Sequence, residues 1–155
     1  ASGQTLKGFG LVSGRTAALA GSTVAPGGSI GTLSFDSSLL LAGTYQAETA
    51  ATGTQLADQI LLTGGNLTID PLATLTLSAT NTYDNVTPLT IASVTGGGTL
   101  SGTFGTVTGL PSNYAVQYLP TSVVLAPVPE PGTLLLTAAG GLGLAWRWRR
   151  RKSGR

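Results

Sequence analysis

The stretch Gln59-Ile60-Leu61-Leu62-Thr63-Gly64-Gly65-Asn66-Leu67-Thr68-Ile69-Asp70-Pro71 decides the fold class. Ile60 and Leu62 fall on one side of an extended chain, and Leu67 and Ile69 do the same after Gly64-Gly65. Period-two alternation with Thr and Ile among the partners signals strands, and Gly-Gly and Asp-Pro are turn formers. The pattern continues outward. Thr74-Leu75-Thr76-Leu77-Ser78 alternates again, as do Val123 and Leu125 near the end of the body. Turn signals recur at Pro26-Gly27-Gly28, Gly96-Gly97-Gly98 and Leu110-Pro111-Ser112-Asn113, and no helical period is found before Pro127. Residues 1–126 are therefore predicted to form one all-β body, with Ile60, Leu62, Leu67, Ile69, Leu75 and Leu77 inside and Thr and Ser mostly outside.

Short strands between Gly turns fit a sandwich, a barrel or a solenoid. Two features favour a solenoid. Gly31-Thr32-Leu33, Gly65-Asn66-Leu67 and Gly98-Thr99-Leu100 share one grammar, at intervals of 34 and 33 residues. The body also contains only three Phe and four Tyr, few for the core of a sandwich. A stack of coils needs fewer large side chains, because each rung supplies core to its neighbours. The segments from Gly3 to Gly14, Val24 to Leu33, Ala57 to Gly65 and Gly97 to Phe104 resemble the closing repeats of autotransporter-type passenger domains. That resemblance implies a right-handed parallel β-helix with strands stacked in parallel from Thr5 to Leu125. The β-barrel translocator that follows such passengers is not in this sequence.

Charge divides the chain. Up to Pro131 there are two cations, Lys7 and Arg15, against six anions, Asp36, Glu48, Asp58, Asp70, Asp84 and Glu130. The other six cations, Arg147, Arg149, Arg150, Arg151, Lys152 and Arg155, all follow the last apolar run. The net charge of +2 is thus a property of the tail. A nucleic-acid footprint would need cations spread over a folded face, so no nucleic-acid partner is expected.

Cys and His are both absent. Disulfides, thiolate nucleophiles and imidazole bases or ligands are therefore unavailable. Carboxylate chemistry is the remaining route. Glu48, Asp58, Asp70 and Asp84 stand 10, 12 and 14 residues apart, share no short motif and form no calcium-loop pattern. Asp70 and Asp84 suit turns and Asp58 suits the start of a strand. No catalytic residue, metal ligand or cofactor is assigned.

After Ala126 the grammar changes. Pro127-Val128-Pro129-Glu130-Pro131 cannot run through a sheet interior, because prolines remove ladder donors, and it reads as an extended linker. Residues 132–146 then carry no charge, with Leu134, Leu135 and Leu136 near their start. Fifteen residues in a helix reach about 22 Å, short of a hydrocarbon core of about 30 Å. The segment is nonetheless apolar all round. Trp146 and Trp148 suit a membrane interface, and Arg147 can snorkel. Arg149, Arg150, Arg151 and Lys152 add a stop-transfer signal that keeps the C-terminus cytoplasmic. Residues 127–155 are accordingly read as a linker, a short transmembrane helix and a basic end, with membrane lipid as a partner.

That order of parts resembles the PEP-CTERM sorting signal of Gram-negative bacteria. The resemblance implies recognition of Val128, Pro129, Glu130 and Pro131 by an exosortase, a membrane-embedded processing enzyme. It also implies a body exported to the periplasm or cell surface of a bacterium that makes extracellular polysaccharide. The expectation is a surface structural or adhesive protein, not an enzyme, forming the C-terminal part of a longer exported precursor. A polysaccharide-degrading β-helix enzyme, with its active-site coils upstream, is the competing class.

Overall fold

The computed structural model describes residues 3–50, 55–79 and 86–129. Fifteen strands are found there and no helix. The first circuit holds β1 (Thr5–Gly8), β2 (Gly10–Val12) and β3 (Thr16–Ala18), and the second β4 (Thr23–Pro26), β5 (Thr32–Phe35) and β6 (Leu39–Leu41). Next come β7 (Thr44–Thr49), β8 (Gln59–Leu62) and β9 (Leu67–Ile69), then β10 (Thr74–Ala79), β11 (Leu89–Val94) and β12 (Leu100–Gly102). The body closes with β13 (Thr106–Thr108), β14 (Tyr114–Leu119) and β15 (Ser122–Pro127).

Each strand up to β13 pairs in parallel with strands three places away. One sheet is β1-β4-β7-β10-β13, a second runs through β2-β5-β8-β11, and a third is β3-β6-β9-β12. The chain thus visits three walls in rotation and lays each circuit on the one before. The 59–78 stretch supplies one strand to each wall.

The interior follows from alternation. Ile60, Leu62, Leu67, Ile69, Leu75 and Leu77 are all buried, as expected. In register, Leu67 lies between Leu39 and Leu100, and Leu62 between Phe35 and Val94. Outside, Thr5, Thr23, Thr44, Thr74 and Thr106 share one register position across the first wall. Tyr45 is fully buried, and its hydroxyl donates to the Ile91 carbonyl at 2.6 Å with the Asp58 carbonyl 3.1 Å away. The phenol ties the first wall to the second across the core. Close stacking also fixes glycines. Gly102 has φ +82°, and a Cβ there would collide with the Ile69 carbonyl of the circuit beneath.

One expectation needs correction. Parallel stacking does not run to Leu125. β14 pairs antiparallel with β15, and β15 pairs antiparallel with β11. Only Pro120 and Thr121 separate β14 from β15, and so short a link joins antiparallel neighbours only. The hairpin ends the second wall, giving the order β14-β15-β11-β8-β5-β2.

The shared grammar is not a fixed repeat. Leu100 stacks on Leu67, but Leu33 lies in the second wall and stacks on Ile60. Circuits lengthen along the chain, from 18 residues between the paired Thr5 and Thr23 to 32 between Thr74 and Thr106. Most of the growth lies at the corner between the first and second walls. Phe9 alone links β1 to β2 there, whereas residues 50–58 link β7 to β8.

Candidate functional site at the sorting junction

The last hairpin positions the C-terminal junction. Pro127 is the final residue of β15 and faces Tyr114 across the ladder. Its pairing with β11 has already ended at Leu125, so a missing N–H at Pro127 leaves no central ladder bond unmade. Tyr114 is buried and fixed to the body, its hydroxyl donating to the Thr87 carbonyl at 3.0 Å and its amide to the Pro111 carbonyl at 3.0 Å. The Val128 amide then donates to the Asn113 carbonyl at 2.7 Å. Val128 and Pro129 are exposed. The linker expected from Pro127 onward is therefore still part of the strand at Pro127 and still hydrogen-bonded to the body at Val128.

The other residues assigned to sorting and anchoring lie outside the described residues. They are Glu130, Pro131, Leu134, Leu135, Leu136, Trp146, Arg147, Trp148, Arg149, Arg150, Arg151 and Lys152. Among the described residues, no helix is long and apolar enough to cross a membrane.

Residues 127–151 match the family model described as the PEP-CTERM protein-sorting motif. The chain carries a protein-sorting signal. A PEP-CTERM signal marks an exported protein that is sorted through an exosortase. The match begins at Pro127, so the signal starts inside the last strand with no spacer between it and the folded body. No curated protein matches the chain.

Two of the acidic residues that sequence reasoning left for carboxylate chemistry, Asp58 and Asp70, hold backbone amides instead, and Asp36 does the same. Asp58 is only 2% exposed. Its Oδ1 accepts from the Gly31 amide and its Oδ2 from the Glu48 amide, both at 2.8 Å. It sits where the β4–β7 ladder stops after Val24 and Tyr45, so the carboxylate replaces carbonyls that the ladder no longer offers. Burial pushes its carboxyl above the usual value, and the Glu48 and Gly31 amides pull against that. Asp36 Oδ1 accepts from the Gly14 amide at 2.8 Å. That bond, and then the Ser13 hydroxyl, hold its carboxyl below the usual range. Asp70 Oδ1 accepts from the Leu72 amide at 2.8 Å, the turn role expected beside Pro71. Asp84 lies outside the described residues. No group of three or more metal-ligating side chains occurs among the described residues.

Sequence reasoning missed the burial of Asp58, because its partners are 27 and 10 residues away. It also gave no sign of a groove of about 560 Å³ over the third wall, lined by Arg15, Ser38, Leu40, Asn66 and Thr68 among others.

Proposed function

We propose that the chain is a non-enzymatic structural or adhesive protein of a Gram-negative cell surface. Its body is a right-handed parallel β-helix, and its C-terminal signal is anchored in the membrane and then processed by an exosortase. The sorting motif, joined directly to the last strand of a stacked parallel body, is the observation that carries this reading. Stacked ladders supply stiffness, and each circuit leans only on its neighbours. Outward Ser, Thr and Asn side chains offer broad, weak contact to extracellular polysaccharide. Of the described carboxylates, Asp36, Asp58 and Asp70 serve as backbone acceptors, which supports a scaffold over a hydrolase.

In this reading the uncharged residues 132–146 hold the chain in the bilayer. The arginines after Trp146 resist translocation, and Pro129, Glu130 and Pro131 are recognised by the processing enzyme. Replacing Pro129, Glu130 and Pro131 with alanine in the exporting host should leave the unprocessed chain in the membrane fraction and deplete the surface fraction. Circular dichroism of the body should not change, since these residues follow its last described hydrogen bond at Val128. A triple variant that reaches the surface as the wild type does would refute recognition through the motif.

A further inference from the structure

We infer that the end of the stack formed by β12, β13 and β14 is a membrane-facing surface that rests on the lipid headgroup layer. The inference depends on the membrane-anchor reading above and adds which face of the body meets the bilayer.

Tether length comes first. The last described hydrogen bond of the body is at Val128, and the uncharged segment begins at Gly132. Pro129, Glu130 and Pro131 span about 10 Å when fully extended. The interfacial zone on each side of a bilayer is about 5–8 Å deep. A body on so short a tether stands at the headgroups.

The exit point selects the end. β15 is next to last in its wall, and only β14 lies beyond it. The chain therefore leaves the body about 4.8 Å, one strand spacing, from the terminal edge. The opposite end, formed by β1, β2 and β3, is separated from the exit by the whole height of the stack.

Charge agrees with this orientation. Residues 86–129, which include all of β11 to β15, contain no Asp, Glu, Lys, Arg or His. Exposed positions on the terminal strands are Ser101, Gly102, Thr106, Thr108, Gln117 and Leu119. The far end carries Lys7 in β1 and Arg15 just before β3. Charges are costly to bring against a low-dielectric layer, whereas neutral hydroxyl and amide groups keep hydrogen bonds to headgroups and interfacial water. A cationic surface would select anionic lipid. This one has no charge to do so, and zwitterionic lipid is the fitting partner.

The absence of native cysteine makes the test direct. Single variants Gln117→Cys and Ser112→Cys at the exit end, and Ser13→Cys at the far end, are labelled with an environment-sensitive dye. All three positions are exposed. The full chain is reconstituted into phosphatidylcholine vesicles containing a headgroup-nitroxide lipid. Quenching of Trp146 and Trp148 by an acyl-chain nitroxide reports insertion of the tail separately. The expected result is Trp quenching together with several-fold stronger dye quenching at residues 117 and 112 than at 13. That pattern should persist at about 0.5 M salt, where screening leaves a Debye length of only about 4 Å. Trp quenching with equal dye quenching at all three positions overturns the docking surface and leaves the anchor standing. Absence of Trp quenching overturns the anchor, and the docking surface with it.

Discussion

Asp58→Ala should lower the stability of the body by about 2–5 kcal/mol, read by denaturant unfolding. The substitution removes the acceptors of the Gly31 and Glu48 amides at once, at a corner where the β4–β7 ladder has stopped. A fully buried amide left without a partner costs about 1–3 kcal/mol. These two are part-buried, and release from burying the carboxylate offsets part of the loss, which places it toward the lower end of the expected range. Asp58→Asn is the informative companion. One asparagine oxygen can accept from one amide, but its NH₂ then faces the other N–H, so the loss should be smaller and still clear.

Acidity gives the same residue a second signature. Burial raises the folded-state value of Asp58 above its unfolded value. The folded state then binds the proton more tightly, so this residue's contribution is fully present below the unfolded value. It falls away as pH rises through the raised folded value. The neighbouring charges point in opposite directions, Glu48 raising the value and Lys7 lowering it. Unfolding free energy measured across the mildly acidic range should carry this downward slope in the wild type. Asp58→Asn should lose the slope, and an identical pH profile in the variant would contradict the assignment.

Phe35→Ala should cost about 3–5 kcal/mol, the usual result for a large aromatic removed from a closed core. Phe35 is fully buried in β5, in register between Val12 below and Leu62 above. In a body of this size that loss corresponds to a fall in melting temperature of roughly 12–20 °C. Stacked circuits are coupled mainly to their neighbours, so the first two circuits should melt ahead of the rest. Hydrogen exchange that rises in residues 5–41 before residues 59–125 would show this. A variant that melts within a few degrees of the wild type would show that Phe35 is not the packing centre of its circuit.

How much of this could be read in the sequence depends on the range of the forces involved. Alternation at Ile60, Leu62, Leu67, Ile69, Leu75 and Leu77 is local, and each of those side chains is buried. Which strand stacks on which is a non-local question. Corners that grow from one residue, Phe9, to the nine of 50–58 erase any constant period that would have revealed the register. For that reason Leu33 stands in a different wall from Leu67 and Leu100, which stack on each other. The final hairpin was open to a local reading, because Pro120-Thr121 between two alternating runs is a tight link, but the resemblance to repeats pointed to further parallel strands. Asp58 was hidden because a carboxylate that closes a broken ladder resembles one that opens a strand.

The sorting motif was legible because it is linear. Its recognition needs only an order of residue types along the chain, and residues 127–151 supply that order. Its relation to the body was not legible. Pro127 can stand at the end of β15 because the strand has no second neighbour there, a fact that only the topology gives.

Mass spectrometry of the C-terminal peptide of the surface-located protein, taken from cells with an intact processing system, tests the central claim most directly. The expected result is a chain that ends upstream of Trp146 and lacks the basic cluster from Arg147 to Arg155. Recovery of surface protein that still ends at Arg155 would contradict sorting by processing and leave the tail as a plain membrane anchor.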